Sequence, residues 1–370
     1  MAETSPQTGP IAVYGATGYT GRLIAAELRR RGAEVVLAGR NRAKLEILAE
    51  DLGGQIAIRD VSLDDPVALR ELLEPCAAVI ACAGPFRLHG EPVLAAAVET
   101  GTHYLDTTGE QPFMQKVFED YGPSAARAGA ALVTAMGFDY VPGDMLAALT
   151  AEGMGSLDEI VLAYAVRGFG ATRGTALSAL GMLAGGEKEW RDGELASAGR
   201  SVGAGSWEFP DPIGRQRMVR YPAGDHVTVP RHVRTQRVRT LLTRSTVIPL
   251  PLVLRVAPLV LVPFQLTMRT PLRRAVAALL PRLPEGPSEQ SRRSSSFTIV
   301  CEASQGSRRQ RGTITGADPY GLTARTTVEG ALRCAAPGYD RKGALAPSEA
   351  FDPRDFLGVL QDYGVEHEVE

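Results

Sequence analysis

Lysine is almost missing from this 370-residue chain. Only Lys44, Lys116, Lys188 and Lys342 are lysines, and the other 36 of its 40 basic residues are arginine. No tyrosine has a lysine four positions later. The tyrosine–lysine pair of short-chain reductases, in which the cation lowers the phenol pKa, is therefore excluded. Cysteine is also sparse: Cys76, Cys82, Cys301 and Cys334 form no C-x-x-C pair, and they read as reduced thiols. The five histidines lack metal-ligand spacing, so no metal is expected. Aromatics make up 6% of the chain and the net charge is −2, which argues against a nucleic-acid binder. No apolar run reaches the roughly 20 unbroken residues of a membrane span. The nearest, residues 246–264, holds Arg255 and is cut by Pro249, Pro251, Pro258 and Pro263. It reads as domain core, as an apolar lip for a greasy substrate, or as a membrane-surface contact. The first ten residues, MAETSPQTGP, lack the basic-then-apolar layout of a signal peptide, so a cytoplasmic location is expected.

Against these absences stands one dense stretch, residues 11–40. Ile11–Tyr14 is a short apolar run suited to a strand buried on both faces. Gly15, Gly18 and Gly21 follow at intervals of three, then a helical apolar stripe ending at Gly32, then a second strand ending at Gly39-Arg40. The first glycine of such a turn permits the tight bend, the second lets the backbone approach a pyrophosphate, and the third allows helix and strand to pack closely. The helix N-terminus supplies amide donors to the phosphates. The spacing is G-x-x-G-x-x-G, a variant of the dinucleotide fingerprint. At the end of the second strand an acid would bind the ribose hydroxyls of NAD, whereas arginine accommodates a 2′-phosphate. Arg40 stands there, followed by Arg42 and Lys44, so NADP is the expected cofactor.

Strands and helices keep alternating to about residue 145, with strands expected at Gln55–Ile58, Ala77–Ala83, His103–Asp106 and Ala130–Ala135. The fold class is α/β: an N-terminal Rossmann-like doubly wound parallel sheet over residues 1–145. A second α+β domain is expected over 146–345, with residues 187–235 loop-rich and strands at Ser296–Ala303 and Arg311–Thr315. Residues 346–370 read as a C-terminal helix and strand, and the residue pattern places them on neither domain.

Ligands of such sheets sit at the carboxyl ends of the strands. The expected cofactor contacts are Gly15, Ala16, Thr17, Gly18, Tyr19, Thr20, Gly21, Arg40, Arg42, Asp60, Val61, Ala83, Gly84, Pro85 and Phe86. On the same rim Tyr140 is the first candidate proton donor, with Asp106 and His89 as further catalytic candidates. Residues 215–311 carry 18 arginines against four acids. That excess suits an anionic partner such as an acyl-carrier protein, a coenzyme A phosphate or an acidic lipid surface. A second copy of the chain is also an open partner.

The runs GATGYTG (15–21), AGR (38–40), AGPF (83–86), HYLDTTGE (103–110) and GFDYVPGD (137–144) together resemble the saccharopine dehydrogenase-like family. YPAGDHVTVPRHV (221–233), LPEGPSEQSRR (283–293) and DPYGLTA (318–324) extend the likeness. The branch the chain is most similar to holds the trans-acting enoyl reductases of polyketide-lipid biosynthesis. The resemblance implies an NADP-dependent oxidoreductase reducing a C=C, C=N or C=O bond of a lipophilic or carrier-bound metabolite. It also implies that the C-terminal helix and strand, 346–370, return to the first domain. Many members carry serine where this chain has Tyr140, so the resemblance gives Tyr140 no family-wide role. The alternative is a non-catalytic NADP sensor or scaffold, against which the large second domain speaks.

Overall fold

The apolar segment Ile11–Tyr14 forms β1, buried along its whole length, at the centre of a parallel sheet. The computed structural model describes residues 9–183, 188–198, 204–221, 223–247 and 285–370. β2 (Val35–Gly39) and β3 (Ala57–Asp60) lie on one side of β1. On the other side come β4 (Ala78–Ala81), β5 (His103–Asp106) and β6 (Ala131–Val133). The order 3-2-1-4-5-6 reverses between β1 and β4, which opens a crevice at their carboxyl ends. β15 (Gly343–Leu345) adds a seventh parallel strand beside β6.

The helix Tyr19–Arg30 buries Gly21, Ile24, Ala25 and Leu28, a single helical face, against this sheet. Full burial of Ile24 and Leu28 contributes about 1.5–3 kcal/mol each. The chain leaves the helix at Gly32, whose φ of 73° favours glycine. The helix Pro319–Ala335 lies beside it. The Tyr19 and Tyr320 rings meet edge to face at 5.2 Å, and Arg31 pairs with Glu329 at 2.9 Å. Contacts at both ends make the two helices run the same way, with both N-termini at the ligand rim.

The chain divides into two units: Met1–Val141 with Tyr320–Phe351, and Pro142–Pro319 with Asp352–Glu370. This differs from the boundaries read in the sequence. The return to the first sheet is made by residues 320–351, through the long helix and β15. The tail beyond Phe351 does not make it. The last strand, β16 (Glu366–Val369), pairs antiparallel with β14 (Arg308–Ala317) in the second unit. β15 has three residues and β16 is charged, so neither announces its sheet by pattern.

The second unit holds a mixed sheet ordered β10-β11-β12-β7-β13-β14-β16. Its strands are β7 (Glu159–Arg167), β10 (Ser206–Phe209), β11 (Gly214–Arg220), β12 (Val238–Thr243) and β13 (Ser296–Gln305), besides the two just named. Only β12 and β7 pair in parallel. β8 (Lys188–Arg191) and β9 (Glu194–Ser197) form a separate hairpin. Residues 187–235 are thus not mainly loop. Their strands are short and polar, and in β11, where arginines alternate with Gln216 and Met218, Met218 alone is buried, so no apolar period marks them. β14 likewise starts three residues before the expected Arg311 because its first residues are Arg-Arg-Gln. The first-unit strand expected at Gln55–Ile58 lies two residues later. As an edge strand it has no buried face to set a pattern. Of the apolar run 246–264, all but its first two residues lie outside the described residues.

Candidate functional site

The glycine turn is the floor of the crevice. The Gly15 and Ala16 amides donate to the Ala38 carbonyl at 2.9 and 3.2 Å, tying the turn to β2. Gly15 has φ 82°, and a Cβ there would stand 3.0 Å from the Ala83 nitrogen beyond β4. A Cβ on Gly21 would collide with the Gly15 carbonyl and approach the Ala16 Cα to 2.9 Å, so helix and turn could not close. Gly18 is different. It is exposed, has an ordinary extended φ of −73°, and its Cβ would meet only the Gly15 oxygen, at 3.3 Å. The protein's own packing gives little reason for that glycine. A ligand approaching the backbone does, and a pyrophosphate over the first-turn amides fits the place.

The adenosine end is open and basic. Arg40 is exposed just beyond β2, and its side chain has no ion-pair or hydrogen-bond partner among the described residues. Arg42 is committed elsewhere: it pairs with Asp60 at 3.0 Å and with Glu46 at 2.9 Å. Of the two expected arginines the structure leaves Arg40 for a phosphate and makes Arg42 and Asp60 each other's counter-ion. Val61 is held by its amide to Gly39 (3.0 Å), and its carbonyl accepts from the buried Tyr14 hydroxyl at 3.0 Å. These residues suit NADP.

The opposite end of the crevice is built from the loops after β4, β5 and β6, which three contacts lock together. The Glu110 carboxylate, buried after β5, accepts from the amides of Phe86 (2.8 Å) and Arg87 (3.1 Å), capping the short helix Phe86–His89. Asp106, wholly buried at the end of β5, accepts from Thr134 Oγ1 (2.9 Å) and from the amides of Thr108 (3.0 Å) and Ala135 (3.1 Å). The Tyr140 ring and hydroxyl press against Gly109, where a Cβ would overlap the phenol oxygen. Phe86 stacks its ring 5.8 Å from Phe113 and is nearly enclosed, while His89 stays half-buried at the end of its helix turn.

The three catalytic candidates therefore part company. The side-chain bonds of Asp106 to Thr108, Thr134 and Ala135 tie the loops after β5 and β6 together, so the geometry gives it a positioning role. Burial pushes its carboxyl up to about 6, against the pull of its donors. Tyr140 is buried and turned toward Gly109 and Asp139. Asp139 is also raised to about 6 by burial, and a hydrogen bond from Tyr140 works the other way. The His89 side chain makes no hydrogen bond among the described residues, and its amide donates to the Pro85 carbonyl at 3.0 Å. Glu110 caps a helix, the orienting or capping role that the sequence suggests for a carboxylate at this rim. A helix is likewise legible from Asp318 to Leu332, but its place in the first unit is not: the Thr326 and Thr327 hydroxyls of Pro319–Ala335 donate to the Met136 carbonyl at 2.8 and 3.1 Å, and Thr323 Oγ1 accepts from the Phe138 amide at 3.1 Å.

Residues 11–136 match the saccharopine dehydrogenase NADP binding domain family. The chain is 38% identical over 148 residues to a Mycobacterium tuberculosis protein provisionally named a trans-acting enoyl reductase, covering 38% of this chain and 35% of that one. It is 30% identical over 152 residues to the saccharopine dehydrogenase-like oxidoreductase of Bos taurus, covering 36% and 35%. These matches span about a third of each relative's length. A saccharopine dehydrogenase (L-Glu forming) from Saccharomyces cerevisiae superposes over 98% of this chain and 100% of that one, with a TM-score of 0.60 and 15% identity, which shows a shared fold. The glycine cradle and Arg40 both lie within the stretch, residues 11–136, that is similar to that NADP-binding domain family.

Proposed function

We propose that the chain is an NADPH-dependent reductase acting on a C=C, C=N or C=O bond of a lipophilic or carrier-bound metabolite, with an enoyl group the favoured substrate. The observation that carries the reading is the pairing of an exposed Gly18 cradle with a rim of interlocked loops at the other end of one crevice. When bound, NADPH supplies the hydride. The chain's residues do the rest. Gly18 and the first-turn amides of the helix Tyr19–Arg30 hold the pyrophosphate, and Arg40 holds the 2′-phosphate. Ala83, Gly84, Pro85 and Phe86 form the wall after β4, and Glu110 fixes that wall through two amides. Reduction leaves a carbanion or alkoxide that must take a proton. The Asp139–Tyr140 pair is the source best placed for it, since a carboxyl near 6 can give up a proton close to neutrality. The name of the Mycobacterium tuberculosis relative supports an enoyl substrate, and the arginine excess of residues 215–311 supports an acidic carrier as its bearer, with cytoplasmic chemistry the expected setting.

The test follows NADPH oxidation with enoyl-thioesters, imines and ketones, each free and carrier-bound. Turnover confined to one bond class identifies the reaction, and Tyr140→Phe should then lower kcat by about 10²–10⁴ with NADPH affinity unchanged. Tight NADPH binding with no turnover on any member of the panel would make the protein a sensor and end the reductase reading.

A further inference from the structure

We propose that the second unit carries an oxyanion pocket, independent of the dinucleotide crevice, which takes a small phosphate or carboxylate group. The pocket is a notch in the sheet. β11 pairs with β12 at Leu241–Thr243, and on the same strand Arg191 of β8 makes an antiparallel bridge to Arg237. Between these two pairings no described strand pairs with Val238 and Arg239 on that edge, while just beyond β11 the Tyr221 amide still donates to the Thr240 carbonyl at 2.9 Å. A cavity of about 260 Å³ occupies the gap, and its walls include Trp190, Arg191, Arg220, Arg237 and Arg239.

The charge on those walls is the argument. Four arginines line the cavity against one acid, Glu189. Arg191 and Arg237 are direct cross-strand partners, an arrangement that repels unless something neutral or negative separates the charges. Glu159 serves two guanidinium groups at once, 3.1 Å from Arg239 and 3.9 Å from Arg237, and Asp192 stands 3.7 Å from Arg191. His226 adds no positive charge near neutral pH: burial lowers it to about 4, and its Nδ1 accepts the Trp190 amide at 3.2 Å. The hairpin is pinned there a second time by the Trp190 indole, which donates to the Thr235 carbonyl at 2.9 Å. Fixed strands thus gather Arg191, Arg220 and Arg237, all exposed, and the half-buried Arg239 around one recess open to water. Guanidinium forks match the paired oxygens of phosphate and carboxylate. The volume falls just below that of pockets for drug-sized ligands, so the pocket suits a charged head group and not a whole cofactor.

Trp190 reports on the pocket directly, because Trp207 is the chain's other tryptophan. In a Trp207→Phe variant saturated with NADP⁺, emission is followed as inorganic phosphate or succinate is added, with sodium chloride at matched ionic strength as control. The expected result is a saturable change with at least one of the two anions, and which one tells phosphate from carboxylate. Arg237→Gln should weaken it roughly tenfold. Glu159→Gln should tighten it several-fold by removing the resident competitor. Calorimetric titration of the unmodified chain gives the same affinity without relying on the tryptophan variant. A response identical to chloride, or affinities indifferent to both substitutions, overturns the proposal.

Discussion

The two ends of the dinucleotide crevice are built on opposite plans. At the phosphate end the groups that matter are exposed: Gly18 lies at the surface with only the Gly15 oxygen near its Cα face, and the Arg40 side chain has no partner among the described residues. At the other end nearly every polar group is spent on its neighbours, with Glu110, Asp106 and Tyr140 holding three loops to one another. The first end waits for a charge. The second is rigid in advance, as a site for a transferred hydride must be if the reacting atoms are to be held within a few tenths of an ångström. Substitutions at the first end should therefore change binding and leave the fold alone, whereas substitutions at the second should change stability first.

Gly18→Val is the sharpest break. Its side chain meets little of the protein, so unfolding should stay cooperative, while NADPH affinity falls on the order of a hundredfold or more. Unchanged affinity by fluorescence titration would mean that the cradle holds nothing.

Asp106→Asn probes the other end. Its carboxyl titrates at about 6 in the folded protein and near 3.9 in an unfolded chain. A folded pKa above the unfolded one makes the ionised group a cost. That cost is complete above about pH 6 and is relieved as the pH falls through 6 toward 4, on the order of 3 kcal/mol in all. The wild-type protein should gain stability relative to the Asn variant across that window, as measured by urea unfolding at stepped pH. Parallel curves would place the titration elsewhere.

Arg40→Asp returns to the phosphate end with a smaller effect. Losing a charge-assisted contact to the 2′-phosphate costs about 1.5–3 kcal/mol, so NADPH should weaken at least tenfold and NADH should gain. Equal dissociation constants for the two cofactors in the native chain would sink the role.

What could be read from the sequence follows the same division. The phosphate end rests on residues whose meaning is local: a glycine at one turn, an arginine at one strand end, each legible from spacing alone. The other end rests on partners far apart in sequence. Thr134 is 28 residues from Asp106, and Thr323 is 185 from Phe138. No local pattern shows that the Asp106 carboxylate is already bonded to Thr134 and Ala135. The same distance hid the place of the long helix, which reads as second-domain sequence but packs in the first unit because its threonines close on Met136. In the second unit the sheet came through only where strands are apolar. β13 showed, while arginine-rich β11 and the start of β14 did not, since β11 buries only Met218 and the first residues of β14 are polar and exposed or half-buried.

The smallest expected effect is also the most specific to the locked end. Glu110 uses separate oxygens for its two amides, Oε1 for Phe86 and Oε2 for Arg87. Glu110→Gln keeps the shape and one acceptor but turns an NH₂ toward the second amide, which loses its partner. Leaving one such donor unpaired costs about 1 kcal/mol, more where water cannot reach it. The helix Phe86–His89 should fray at its start, and amide hydrogen exchange at Phe86 or Arg87 should quicken by about fivefold or more. NADPH affinity should change far less than in Gly18→Val, because the pyrophosphate contacts are untouched. If exchange at both amides matched the wild-type protein while affinity collapsed, Glu110 would be a ligand contact, and the contrast between an open end and a locked one would fail at its central residue.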